Sequence, residues 1–528
     1  MINGYWVPVL HSHLPFVKHP EYDNFLEEHW LFEAITECYI PLLRRLKLLE
    51  EENIDFRLTV SITPPLAEML DDSHLMEKYA KYLQKQIELG KKEVNRTIND
   101  PYFHELAIFY KNLFEESEDF FRNFLNNNVL NGYRYFYDKG SLEVITCGAT
   151  HGFLPLLSVS EQAVRTQIEV AVQSHKKHFN KAPKGIWLPE CAYYDGLDKI
   201  LEEKGIRFFI VDSHALTYGR PTAINGVYAP CYTPHTVAAF GRDAHSSKQV
   251  WSSKEGYPGD FSYRDFYRDI GYDLDFDYIR PYINPDGIRV FTGFKYHKIT
   301  GTTDYKEAYQ PQIAKEKTKD HARDFVRKRE EQINHLKQMM GRSPMVVSPY
   351  DAELFGHWWF EGPEFLYNIF KELNNSENIK AITPAEYLEM FPQNQIVNPN
   401  PSSWGDKGYY DVWLNSTNSW IYRHLHEMAI RMQELAQQYF NTSDFNTTRV
   451  LNQMLRELLL AQSSDWAFLM TTATATEYSV NRTKEHISNF NELLGMIENS
   501  NIDFDKLQYC EYKNSIFSFI DFRIFITS

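Results

Sequence analysis

Short apolar runs recur along the chain, spaced widely enough for a helix to fit between many of them. They are YWVPVL (5–10), FRLTVS (56–61), LEVITC (142–147), KGIWL (184–188), RFFIV (207–211), IRVFT (288–292), MVVS (345–348) and KAIT (380–383). Most are continuous rather than alternating, as in strands covered on both faces. Residues 33–52 and 159–179 carry apolar positions at helical spacing. This β–α alternation predicts a parallel sheet, and seven or eight such strands predict a barrel. Two stretches interrupt the rhythm. Residues 73–138 are charged and aromatic with no strand pattern, which predicts a helical insertion. Residues 228–275 are rich in Ser, Gly, Tyr and Asp and read as a long connection of the active-site kind. Beyond about residue 400 the strand runs stop, and 420–440, 448–462 and 480–499 show helical spacing. The expected organisation is a catalytic α/β barrel over 1–400 and an all-α domain over 401–528 that contributes to the substrate cleft. No internal repeat or low-complexity tract interrupts this plan.

Charge and composition narrow the partners. The 528 residues carry 55 basic and 71 acidic side chains, a net charge of −16. That balance argues against nucleic acid and anionic membrane surfaces, which are bound through basic patches. No stretch has the length or apolarity of a membrane helix, and the first residues lack the pattern of a signal peptide. The five cysteines, Cys38, Cys147, Cys191, Cys231 and Cys510, form no CxxC and read as reduced thiols. A cytoplasmic protein is expected, as a monomer or small homo-oligomer. Aromatic residues reach 15%. Trp358, Trp359, Trp404, Trp413 and Trp420 cluster in sequence. Core packing accounts for any one of them; as a group beside polar residues they suit stacking on pyranose rings.

Five apolar runs end in histidine or carboxylate. YWVPVL leads to His11 and His13, LEVITC to His151, KGIWL to Glu190, RFFIV to Asp212 and His214, and MVVS to Asp351 and Glu353. In a parallel barrel all strand C-termini open on one face, where the active site lies. Two chemistries fit. Glu190 and Asp351 form a natural pair of carboxylates flanking a glycosidic bond. Alternatively His11 and His13, with Asp212 or His214, would hold a divalent ion in a deacetylase or amidohydrolase. No GxSxG, P-loop or GxGxxG is present.

At these residues the sequence resembles glycoside hydrolase family 57. The matching segments are HSHLPFVKHPE (11–21), CGATHGFLPLL (147–157), IWLPECAYY (186–194), SPYDAELFGHWWFEGP (348–363) and SSWGDKGYYDVWLNSTNSWIYRHLH (402–426). LLLAQSSDWAFLM (458–470) further resembles the branch that holds the 1,4-α-glucan branching enzymes and similar α-amylases. The resemblance covers nearly the whole chain. It implies a distorted (β/α)7 barrel and a retaining mechanism with no metal or other cofactor. It also implies Glu190 as nucleophile and Asp351 as acid/base. His13 and His151 would bond sugar hydroxyls, and Trp404, Trp413 and Asp465 would lie near substrate. Trp358 and Trp359 would exclude water, at most one touching sugar, and Trp30 would lie on the acceptor side. Branching enzymes of the family carry a tyrosine on a loop over the active site; the counterpart here is sought in 241–263, which contains Tyr257 and Tyr263. The expected function is a 1,4-α-glucan branching enzyme acting on amylose, amylopectin or glycogen, with α-amylase or 4-α-glucanotransferase activity as the alternative.

Overall fold

The computed structural model describes residues 2–284 and 286–528. Among the described residues there are nine strands, β1 (Gly4–Ser12), β2 (Leu58–Ile62), β3 (Leu142–Ile145), β4 (Gly185–Trp187), β5 (Phe208–Val211), β6 (Cys231–Tyr232), β7 (Ala238–Gly241), β8 (Met345–Asp351) and β9 (Ile379–Ala381). One sheet has the order β3–β2–β1–β8, with β9 beside the first half of β1. The other has the order β4–β5–β7–β6. A parallel bridge between Thr146 and Ile186 joins β3 to β4. On the far side the Asp243 amide donates to the Val347 carbonyl at 2.9 Å, linking the end of β7 to β8. The parallel strands β8, β1, β2, β3, β4, β5 and β7 thus form an irregular ring.

Strand periodicity sorts the core into two parts. Tyr5, Val7 and Val9 of β1 pack inside the ring with Phe208, Ile210 and Val347. Trp6 and Leu10, on the opposite parity, pack outward among the helices. Continuing the inward parity places His11 after Val9 and Asp351 after Met345 and Val347, and the two residues are register partners. Both therefore sit at the mouth of the ring.

The region 73–138 forms the helices Ser73–Arg96, Pro101–Asp119 and Leu130–Asp138. The C-terminal part carries the long helices Trp420–Gln438, Phe445–Ala461 and Thr476–Glu498, with the short Ser464–Thr472 between the last two. It docks on the mouth of the ring through an antiparallel bridge from Gly152 to Ser463, and the Ser464 amide donates to the His151 carbonyl at 3.1 Å.

Two sequence expectations are corrected. IRVFT (288–292) is not a strand. The Thr292 and Gly293 amides instead donate to the buried Asp269 carboxylate at 3.0 and 2.9 Å, so they have no need of a neighbouring strand. The missing strand is β7, inside the 228–275 stretch that reads as an interruption. Its residues AAFG are too short and too small to stand out in a hydrophobic pattern.

Candidate active site

A cavity of about 860 Å³ opens at the C-terminal ends of the barrel strands. Glu190 and Asp351 both line it. Its far wall comes from the C-terminal helices, through Asp465, Phe468, Thr471 and Thr472.

Glu190 follows β4 in a short turn, Pro189–Cys191. It has φ 60° and ψ 25°, and Cys191 has φ 51°. Two successive non-glycine residues in the left-handed region are strained, and such strain persists only where the surroundings over-determine it. Trp404 supplies that constraint twice. Its amide donates to the Glu190 carbonyl at 3.0 Å, and its indole Nε1 donates to Oε2 at 2.7 Å. Burial pushes the Glu190 carboxyl up to about 7, with the Asp465 charge adding and the Trp404 bond and His13 opposing.

Asp351 ends β8. Burial holds its carboxyl well above the ordinary range, and the charges of Glu353 and Glu190 push the same way, against Arg242. Both carboxyls are raised by burial but their neighbours differ: negative Glu353 and Glu190 flank Asp351, whereas Trp404 and His13 favour the ionised form of Glu190. This suits Asp351 as acid and Glu190 as base or nucleophile. Glu353 also lines the cavity, with Oε1 accepting from the Tyr39 hydroxyl at 2.5 Å and the His13 amide at 3.2 Å.

A stack of rings forms the floor. Trp187 lies edge-on to Trp404 at 4.9 Å and parallel to His11 at 4.6 Å; His151 follows at 5.2 Å from His11, and His13 at 3.8 Å from His151. His13 binds Thr63 through Nδ1 at 3.0 Å and Asp465 through Nε2 at 2.9 Å. His151 binds Ser464 through Nδ1 at 2.8 Å and His11 through Nε2 at 3.1 Å. All four nitrogens of His13 and His151 thus have protein partners, so bonding a sugar hydroxyl requires exchange of one of these. Burial opposes charge on His13, but the charge and hydrogen bond of Asp465 prevail and raise it. Conversely, His13 brings Asp465 down to about 2 against the effect of burial. His11 and His151 are held neutral by burial and by neighbouring imidazoles.

The aromatic residues divide. Trp358 is 56% exposed and lines the cavity; Trp359 is 2% exposed and packs in the core. Gly356 makes this turn possible: at φ +119° a Cβ there would lie 1.8 Å from the Glu37 carbonyl oxygen. Trp404 and Trp30 line the cavity, and Trp413 reaches it only at an edge, being 1% exposed and stacked on Phe153 at 4.4 Å.

Tyr257 is a correction. It does not line the cavity; its hydroxyl donates to Asp324 at 2.8 Å on the long helix Pro311–Met340. Tyr263 turns the same way and bonds His321 at 2.7 Å. Both rings pack on His321 of that helix, Tyr257 also against Phe365 and Tyr263 against Trp359. From this segment Arg242 and Trp251 line the cavity, Trp251 lying 6.0 Å from Trp404. The expected grouping of His11 and His13 with Asp212 or His214 is also absent. Asp212 pairs with Arg242 at 3.3 Å, and His214 bonds the Gly408 carbonyl at 2.7 Å. Among the described residues the cation-sized groups here are His11–Cys147–His151 and His13–His151–Asp465. Arg242 and Glu33 line the cavity and were missed by the sequence reading. Arg242 directly follows β7, so recognition of that strand would have found it by the same strand-end rule.

The sequence model for glycosyl hydrolase family 57 matches residues 8–399. That for the C-terminal region of 1,4-alpha-glucan branching enzymes matches 424–525. The 1,4-alpha-glucan branching enzyme TK1436 of Thermococcus kodakarensis is 33% identical over 553 aligned positions, covering 98% of this chain and 78% of the relative. Among solved structures, the alpha-amylase AmyC of Thermotoga maritima superposes with a TM-score of 0.94 at 49% identity, covering 99% of each chain. The GH57-type branching enzyme of Pyrococcus horikoshii superposes at 0.89 with 33% identity, covering 100% of this chain and 97% of that one. With most of its barrel matched by the family model and its whole fold shared with these relatives, this chain belongs to glycosyl hydrolase family 57.

Proposed function

We propose that this protein is a 1,4-α-glucan branching enzyme that works by retaining double displacement, with hydrolysis as a side reaction. The observation that carries this reading is the composition of the cleft. The Glu190–Asp351 pair shares one cavity with Asp465, Phe468, Thr471 and Thr472, all within the region matched by the branching-enzyme C-terminal model. On this reading residues 1–400 form the catalytic unit and 401–528 supply a wall of the acceptor side. Trp358, Trp404 and the edge of Trp413 stack on sugar rings, while His13, His151 and Asp465 shape the floor beneath them.

In the first step a Glu190 carboxylate oxygen attacks the anomeric carbon. The bond to the glycosidic oxygen breaks, and that oxygen takes the proton of Asp351. The glycosyl ester has no charge at Glu190, so Asp351 loses one of the negative neighbours that held its proton. It is then suited to act as base. It takes a proton from the 6-hydroxyl of an acceptor glucan, whose oxygen attacks the anomeric carbon and releases Glu190.

A second reading, α-amylase, is favoured by a specific observation: neither Tyr257 nor Tyr263 stands over the cleft. With no tyrosine from this segment over the ester, water competes with the acceptor. Incubation with amylose separates the two readings. New α-1,6 linkages by proton NMR with few new reducing ends are expected of a branching enzyme. Reducing ends without α-1,6 linkages would replace that reading with amylase.

The pH profile tests the proton assignments. Glu190 must be ionised and Asp351 protonated, so kcat/KM is expected to rise through pH about 7 and to fall where Asp351 loses its proton. Glu353→Gln removes a negative neighbour of Asp351, which lowers its pKa and moves the alkaline limb to lower pH. Glu190 is governed mainly by burial, Trp404, Asp465 and His13, so the acid limb is expected to move less than the alkaline one. An alkaline limb that did not move would exclude Asp351 as the group that controls it.

A further inference from the structure

The helix Ala244–Trp251 has two functional faces. Trp251 lines the catalytic cleft, while His245, Lys248 and Gln249 line a separate cavity of about 680 Å³. The opposite wall of this second cavity is the helix Pro311–Met340, through Lys328, Arg329, Gln332 and His335.

Arg329 is the informative residue. It is 4% exposed, yet its Nε and Nη1 have no hydrogen-bond partner among the described residues. The surrounding carboxylates are already committed. Glu331 pairs with Arg327 at 2.6 Å, Asp324 with Lys328 at 2.6 Å, and Glu255 with Lys248. Asp243 accepts from the Ser246 amide at 2.7 Å and from Gln332 at 2.9 Å. The Phe325 ring, 5.1 Å from the guanidinium, offsets part of the cost of burying the charge. A buried guanidinium without a counter-ion remains costly, and its planar fork matches an oxyanion.

The rest of the wall describes what the anion is attached to. The Oε1 atoms of Gln249 and Gln332 are buried and unpartnered among the described residues. Carbonyl acceptors repel a bare anion and suit hydroxyl donors. The volume also exceeds what an inorganic ion fills and lies within the range of small-molecule sites, about 300–1,000 Å³. We propose that this cavity binds a phosphorylated monosaccharide, with its phosphate on Arg329 and Lys248 and its hydroxyls on Gln249 and Gln332.

Isothermal titration of the full-length Glu190→Gln protein tests this, with the catalytic cleft saturated by maltohexaose so that it does not compete. Glucose 6-phosphate, inorganic phosphate and glucose are the probes. Glucose 6-phosphate is expected to bind at one site at least about tenfold more tightly than either of the others. Added Arg329→Gln is expected to weaken it by about tenfold or more. Lys248 is on the exposed rim, so Lys248→Ala keeps the test valid if the buried substitution fails to fold; a severalfold loss is expected. Inorganic phosphate binding as tightly as the sugar phosphate would overturn the sugar assignment. Absence of saturable binding, or binding unchanged in both variants, would overturn the site.

Discussion

Glu190→Gln is expected to lower kcat/KM on amylose by on the order of 10⁴-fold or more while leaving the fold intact. The amide keeps the shape of the carboxylate and still accepts the Trp404 indole N–H, so the strained turn retains its tether. What is lost on the proposed mechanism is the nucleophile, and with it the covalent intermediate. Asp351→Asn is expected to cause a comparable loss on amylose for a different reason, since the leaving oxygen then departs without a proton. A substrate with a leaving group that needs no proton, such as α-maltosyl fluoride, separates the roles. Asp351→Asn is expected to form the glycosyl-enzyme from it at a near-normal rate, whereas Glu190→Gln is expected to remain inactive. If both variants processed amylose like the parent protein, the catalytic assignment would fail.

Asp465→Asn is expected to reduce kcat/KM by on the order of 10²-fold, because it frees the His13 ring at the floor of the cleft. His13 and Asp465 tie the barrel to the C-terminal helices, and His13 stacks on His151, whose Nδ1 lies 3.7 Å from Glu190 Oε1. Loss of the pair therefore disturbs the nucleophile through the ring stack. The same substitution is expected to cost about 2 kcal/mol of stability, since a partly buried ion pair loses one member. The cost depends on pH. Asp465 is depressed, so its contribution is present above the unfolded value, about 3.9, and is lost as pH falls towards 2. His13 is raised, so its contribution is present below about 6.5 and is lost as pH rises through its folded value. The gap in melting temperature between parent and variant is thus expected to be widest at about pH 4–6.5 and to narrow on either side. A gap independent of pH would rule out this ion pair as its source.

Much of the site could be read from the sequence because strand ends obey a local rule. A continuous apolar run is buried, and the first ionisable residue after it emerges at the mouth of a parallel ring. This placed Glu190 and Asp351, and both line the cavity. The rule fails where the run itself is inconspicuous. AAFG is too short to stand out, and Arg242 after it is lost with it, while IRVFT is apolar enough to be a strand but ends on Asp269, which holds the amides of Thr292 and the following Gly293. The end of this run is held by a carboxylate about twenty residues away, a contact that hydrophobic periodicity does not record.

By itself, the sequence determined the α/β alternation, the helical insertion, the helical C-terminal part and the pair of carboxylates. These depend on periods of two and 3.6 residues and on which residue follows a buried run, all of which act over a few positions. Tertiary structure alone decided which rings face the cleft. Trp358 and Trp359 are adjacent, yet one lines the cavity and the other is core; Tyr257 turns to Asp324; and Asp465 reaches His13 across 452 positions of chain. It also decided the different charged neighbours that surround Glu190 and Asp351. The physical reason is the same in each case. Burial, ring orientation and proton affinity depend on the groups that long-range packing brings within a few ångströms, and those groups come from distant parts of the chain.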